Sequence, residues 1–367
     1  MPELVAIAEQ LLAPVPGGTG RYTRELLRAL AATAPDGWAV RSVVSRSGDP
    51  GRARVPGVDG PRVLPLPRRA LIAAWERGLP PWPGGDAVHA MTPLAPPARR
   101  GRNLVVTVHD TVPWTHPETL TPRGVGWHRR AIARAARTAD ALVVPTRAVA
   151  TDLTRRIGGT APISTIGEGV GPDLATDHRA APELLPAVLP ERYVLAIGTV
   201  EPRKGFDHLV RAMAEQHAPE ASLVIVGRPG WGGLDLPRLA EECGTRLRML
   251  SGLTDRQLGA VLRGASALAV PSLAEGFGLP LLEGMAAGIP VVHSDAPALV
   301  EVAAGAGLQV PRADPRALAT ALRTAVDDIG RRDALREAGS RRAREFSWER
   351  TAREVWSVHL ELAARSG

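Results

Sequence analysis

Short β-branched runs alternate with amphipathic stretches along nearly the whole chain, and this alternation narrows the fold more than any other feature. Apolar runs of a few residues bounded by turn residues read as buried strands. Apolar positions three and four apart read as helices that pack on them. Repeated in turn, the two demand α/β domains with parallel sheets. In the first half strands are predicted at 4–8, 39–44, 87–91, 104–109, 141–145 and 163–166, with helices at 20–32, 127–138 and 149–157. In the second half strands are predicted at 193–198, 222–227, 247–250, 267–271 and 290–293, with helices at 207–215, 254–264 and 315–327. Thr254 with Gln257 forms a capping box. Beyond residue 330 only helix is expected, over 331–346 and then 348–365 with Ser347 as N-cap.

At 367 residues the chain exceeds one typical core, so two domains are expected. The first covers 1–177 and the second 192–346, joined by a Pro- and Ala-rich linker at 178–191. Two doubly wound domains facing each other would place ligands at the carboxyl ends of their strands, in a central cleft.

Composition excludes several classes. No apolar run approaches the ~20 residues of a membrane span, and no basic stretch followed by an apolar core marks a secretory signal. A cytoplasmic protein is expected. Cys243 is the only cysteine, which rules out an internal disulfide or a cysteine-rich metal site, and it reads as a small buried hydrophobe on a helix. Residues 1–180 carry 23 basic against 15 acidic side chains, and residues 181–367 carry 22 against 23. The basic half suits an anionic or lipid-linked acceptor, or peripheral contact with a membrane face. An Arg-rich coding bias explains the same numbers. No nucleic-acid module is visible, so no nucleic-acid partner is expected.

Residues 275–283, Glu-Gly-Phe-Gly-Leu-Pro-Leu-Leu-Glu, follow an apolar strand and open a helix. Amides and the positive end of the helix dipole collect there, which favours phosphate. Carboxylates at either end, Glu275 and Glu283, accept hydrogen bonds from sugar hydroxyls. A sugar–phosphate ligand fits both halves of this motif. Of 45 basic residues, 44 are arginine, and the sole lysine, Lys204, falls in Gly198-Thr-Val-Glu-Pro-Arg203-Lys204-Gly205. Arg203 and Lys204 suit a diphosphate, or are simply solvated cations. Gly17 and Gly18 lie in a glycine-rich turn that lets backbone approach a ligand closely, although such turns are common. His109, followed by Asp110 at the end of a predicted strand, suits a sugar hydroxyl or only fixes its loop. A loop at 228–231 leaves another strand and either reaches a nucleotide or is a plain strand exit. Asp327-Asp328 reads as a solvated helix end. There is no Asp-x-Asp, zinc cluster or Walker loop, so no metal and no cofactor are expected.

Together these motifs resemble glycosyltransferase family 4, over nearly the whole chain. The resemblance also takes in Ala139-Asp140-Ala-Leu-Val-Val-Pro-Thr, Val226-Gly227 and Gly288-Ile-Pro-Val-Val292. It implies two Rossmann-like domains of the GT-B kind, with a final helix at 347–367 crossing back to bury Trp348 and Trp356 on the first domain. It implies that Arg203 and Lys204 clamp the donor diphosphate, that Glu283 binds the ribose and Glu275 the transferred sugar. The amides of Gly276, Phe277, Gly278 and Leu279 face the donor, Gly17 and Gly18 approach the diphosphate, and His109 contacts the donor sugar. His293 stands where members of the family often carry a small residue. The expected activity is retaining, metal-independent transfer of a hexose, with mannose favoured, from a nucleotide-diphosphate sugar. The rivals are a phosphorylase of the same fold and a silent sugar-nucleotide-binding protein.

Overall fold

The computed structural model describes residues 1–171, 189–230 and 232–366. The expected linker therefore lies outside the described residues except for 189–191, as does Trp231 of the 228–231 loop. The chain divides into two compact units. One comprises Met1–Trp114, Pro122–Gly169 and Trp348–Gly367; the other comprises Thr115–Thr121 and Val170–Ser347.

The first unit is built on seven parallel strands: β1 Glu3–Ile7, β2 Ala39–Arg46, β3 Asp59–Pro67, β4 Ala87–Ala90, β5 Asn103–Thr107, β6 Ala141–Val144 and β7 Ile163–Thr165. Their order is β3-β2-β1-β4-β5-β6-β7. The second unit has six: β8 Tyr193–Ile197, β9 Ser222–Val226, β10 Leu247–Leu250, β11 Ala267–Val270, β12 Val291–Ser294 and β13 Leu308–Val310. Their order is β10-β9-β8-β11-β12-β13, again parallel. Central strands such as β4, β6 and β11 are buried at every position, as parallel strands covered on both faces must be.

Each unit has its own core. Val5, Val88, Val106, Ile132 and Trp75 lie at the centre of the first. Val194, Leu223, Ile225, Phe206 and Leu322 lie at the centre of the second. The final helix, Trp348–Ser366, belongs to the first unit. Trp356 donates its indole N–H to the Leu30 carbonyl at 3.1 Å and meets Trp38 edge-on at 5.5 Å. Trp348 meets Tyr22 edge-on at 5.8 Å. Thr254 and Gln257 make the expected capping box.

Several elements depart from the sequence pattern. β3 carries Pro61, Pro65 and Pro67 and buries little besides Leu64; it survives because an edge strand can spare ladder N–H groups. The helix 20–32 begins earlier, at Gly17. Cys243 ends the helix Leu236–Cys243 and is half-buried rather than buried, because that amphipathic helix keeps only Leu236 and Ala240 fully inside. Asp327 is an exposed helix end, paired with Arg192 at 2.5 Å, while Asp328 caps the next helix by accepting from the Arg331 amide.

Candidate functional site

In the second unit the strand order reverses between β8 and β11. Loops leaving two such strands diverge and open a crevice at their carboxyl ends. The β8 loop carries Arg203 and Lys204, and the β11 loop carries Glu275. Gly205 presses one loop on the other: at φ 65° it occupies the left-handed region, and a Cβ there would meet the Pro271 carbonyl oxygen at 2.4 Å. The Leu273 amide also donates to the Arg203 carbonyl at 2.8 Å.

This stitching brings together three of the residues singled out in the sequence. Lys204 Nζ lies 2.6 Å from Glu275 Oε1, and Arg203 Nη1 lies 2.9 Å from Glu275 Oε2. Ser272 Oγ donates to Oε1 at 2.7 Å. Arg203 also donates to the Ala274 carbonyl and pairs with Glu201 at 2.7 Å. Burial alone would raise the Glu275 pKa, but Lys204, Arg203 and the Ser272 hydrogen bond reverse the shift and lower it to about 2. A carboxylate offers about four lone-pair positions. Three are filled by these donors, which leaves capacity for one more. Lys204 has three ammonium protons and spends one on Glu275. The pair is thus a fixed anion and a fixed cation with hydrogen-bonding capacity to spare.

Glu275 leads into Gly276, Phe277 and Gly278, and then into the helix Leu279–Ala286. Gly278 caps this helix at φ 99°, where a Cβ would strike Leu299 Cδ2 at 2.4 Å. The Phe277 ring turns inward to meet Phe346 edge-on at 5.7 Å, so only its backbone can face a ligand. Glu283 lies within the helix, 1% exposed, and its helix neighbours Leu281, Leu282 and Met285 are buried as well. His293 is also buried. Its Nδ1 pairs with the Ser294 carbonyl at 2.8 Å, and the ring fills space left by Gly307, whose added Cβ would meet it at 2.8 Å. Burial lowers the His293 pKa.

Two residues of this unit escaped the sequence reading. Arg312 pairs with Asp295 at 2.7 Å and donates to the Leu273 carbonyl in the Glu275 loop. His116 titrates lower than an ordinary imidazole, chiefly through burial; Arg312 and Arg203 add to the shift and Glu118 opposes it.

In the first unit the order reverses between β1 and β4. Gly17, at φ 61°, and Gly18 follow β1, and a Cβ on either would meet nothing within 4 Å. By contrast Gly20 is pinned against Pro16. His109 follows β5. Its Nε2 lies 2.9 Å from the Met91 carbonyl, its Nδ1 3.8 Å from Glu168, and the Tyr22 ring meets it edge-on at 4.7 Å. Asp110 takes the loop-fixing role, accepting from the Val112 amide at 3.0 Å. Asp140 is likewise structural and accepts from the Leu104 amide at 2.7 Å. Glu168, buried between Gly167 and Gly169, was not singled out in the sequence, where a lone acid between glycines carries no local signal. Among the described residues no group of three or more His, Cys, Asp or Glu converges to hold a metal, and no helix is long and apolar enough to cross a membrane.

A model of the family described as Glycosyltransferase Family 4 matches residues 16–174, and one described as Glycosyl transferases group 1 matches residues 181–342. The MMP alpha-(1->4)-mannosyltransferase of Mycolicibacterium hassiacum is 30% identical over 337 residues, which take in 84% of this chain and 77% of that one. The chain belongs to glycosyltransferase family 4. This family-4 chain is also 38% identical over 192 residues to a D-inositol 3-phosphate glycosyltransferase of Salinispora tropica. That match takes in 48% of this chain and 40% of the relative, so the aligned stretch spans less than half the relative's length. The fold of the family-4 chain recurs in sucrose-phosphate synthase from Thermosynechococcus elongatus, with TM-score 0.76 at 23% identity over the whole of both chains. It recurs in Anabaena Alr3699/HepE, solved with UDP-glucose, with TM-score 0.73 at 17% identity over 98% of this chain and all of that one. Its fold class is therefore two parallel α/β units of the GT-B kind.

Proposed function

We propose that this family-4 protein transfers a hexose, with retention, from a nucleoside-diphosphate sugar to a hydroxyl acceptor. The observation that carries the reading is the Lys204–Glu275–Arg203 cluster at the β8/β11 switch point. As the bond between the sugar C1 and the phosphate oxygen breaks, negative charge grows on the diphosphate, and Lys204 answers it without reorganising. Glu275 holds a hydroxyl of the sugar that moves, and Glu283 holds the ribose. The amides of residues 276–279 complete the donor contacts in this unit. In the first unit the roles are a backbone approach at Gly17 and Gly18 and a sugar contact at His109. The acceptor oxygen bonds to C1, and its proton passes to the leaving diphosphate. No residue is assigned as a covalent nucleophile and no metal is assigned a role.

Mannose is the favoured hexose, supported by the name of the Mycolicibacterium relative. The UDP-glucose held by the similarly folded Anabaena protein is of the same donor class. An anionic or lipid-linked acceptor is supported by the excess of 23 basic over 15 acidic side chains in residues 1–180. The test is turnover of UDP- and GDP-hexoses in chelator, with the product anomer read by NMR. The expected result is release of nucleoside diphosphate and retained configuration. Turnover of a sugar 1-phosphate with inorganic phosphate and no nucleotide, inversion at C1, or total loss of activity in chelator would overturn it.

A further inference from the structure

His109 is enclosed by groups that act on both of its ring nitrogens. The Met91 carbonyl, 2.9 Å from Nε2, can only accept, so Nε2 carries a proton. On the other side Nδ1 lies 3.8 Å from Glu168 Oε1, an ion-pair distance, and both side chains are largely buried at 17% and 6% exposure. Of the remaining titratable neighbours, Tyr22 and His89 are uncharged at neutral pH and Asp110 is an anion. Tyr22, from the helix Gly17–Ala32, is buried and its phenol is pushed up by desolvation. His89, on β4, is fully buried and is pushed well below an ordinary imidazole. Asp110, on the same loop as His109, adds a second negative charge. Burial works against a charged His109 most strongly, yet Glu168, Met91 and Asp110 outweigh it and its pKa is raised.

Glu168 is itself held in place. The C-terminal helix reaches its loop through Thr351 Oγ1, which donates to the Gly167 carbonyl at 2.8 Å. The same helix reaches the other flank of His109 through Trp348, which packs on Tyr22.

We propose that Glu168 is a positioning residue that holds His109 as an imidazolium, with one ring N–H on Met91 and the other towards the Glu168 carboxylate. His109 then has no lone pair with which to take a proton from the acceptor. It serves as a fixed positive charge, not as a general base. The role in transfer rests on the proposed sugar contact of His109, whereas the charge state does not.

The test separates the two. His109 is titrated by NMR in ligand-free protein labelled at histidine, its signal assigned by loss in H109Q. The wild-type ring should titrate above the ordinary ~6.5. E168Q, which keeps the shape and removes the charge, should lower it by about one unit or more, and E168D should recover part of the shift. A wild-type ring titrating at or below ~6.5, or identical curves in wild type and E168Q, would overturn the assignment. If E168Q fails to fold, the wild-type and E168D curves decide. For the role in transfer, the high-pH fall in kcat/KM should move to lower pH in E168Q. A profile unmoved while the titration shifts would overturn that role alone, and absence of sugar transfer would overturn the donor reading without touching the titration.

Discussion

Lys204→Ala is expected to lower kcat by about 10²–10³-fold, the ~3–4 kcal/mol typical of losing one preorganised donor at a developing oxyanion. The Lys204 side chain is 12% exposed and its ammonium lies 2.6 Å from Glu275, so its charge is little screened and already in place before reaction. Its stem runs over Gly198, where an added Cβ would come within 3.4 Å of Lys204 Cε. Lys204→Arg is therefore not expected to restore the rate, because a planar fork replaces a compact charge in a filled channel. Stability should change less than rate, since Glu275 keeps Arg203 and Ser272. Arg203→Ala should behave differently. Arg203 ties Glu201, Ala274 and Glu275 together, so its loss should lower the unfolding free energy together with kcat. Steady-state kinetics beside urea unfolding measures both. Unchanged turnover in Lys204→Ala would remove the lysine from the mechanism.

The second large effect is acid sensitivity of the first unit. Tyr22, Thr107, His89 and His359 form a buried chain with links of 3.1, 2.9 and 3.1 Å. Burial keeps both histidines neutral: His359 is lowered to about 3, and His89 falls well below an ordinary imidazole through burial and the neighbouring His359. The unfolded chain binds protons on both near pH 6.5, whereas the folded chain does not, so their contribution is complete above ~6.5 and is lost as pH falls. At 1.36 kcal/mol per unit, His359 alone accounts for a loss on the order of 4 kcal/mol by pH 3. His109 works the other way, because its raised pKa favours the folded state at low pH. Glu275, lowered to about 2, contributes to acid loss only below the ordinary carboxylate range. The interval between pH 6.5 and 5 therefore isolates the imidazoles. The urea midpoint read by tryptophan fluorescence should fall over this interval in wild type. His359→Gln should flatten the fall. Parallel curves would show that His359 does not set it.

The two-unit α/β plan was legible because strand and helix periods are local. The strand, glycine turn and helix around residues 267–286 was the clearest case, with Gly278 and Pro280 fixing where the helix starts. β13, three residues with only Val310 fully buried, was missed, and so was the helix Pro297–Ala303, whose seven residues give barely two turns. Glu275 and Lys204 were each visible, but not their union. Seventy-one residues separate them, and they meet only because β8 and β11 are neighbours, a fact of sheet order. Taken one by one, the cations suit the diphosphate and the carboxylate suits the sugar as separate fixtures. In the folded chain each holds the other in position. Glu168 was illegible for the same reason, since its meaning lies in His109 and in a helix nearly 200 residues away.

Glu275 is expected to serve the sugar that moves and Glu283 the nucleotide that stays. Calorimetric affinities of UDP, GDP and their hexose conjugates for wild type, Glu275→Gln and Glu283→Gln test it directly. For whichever nucleotide the wild type binds, Glu283→Gln should weaken the diphosphate and its conjugate alike. Glu275→Gln should leave the free diphosphate bound as tightly or more tightly, because Lys204 and Arg203 lose their internal anion, and should abolish the added affinity of the sugar. A Glu283→Gln protein that binds the free diphosphate normally, or a Glu275→Gln protein that keeps the sugar's increment, would contradict it.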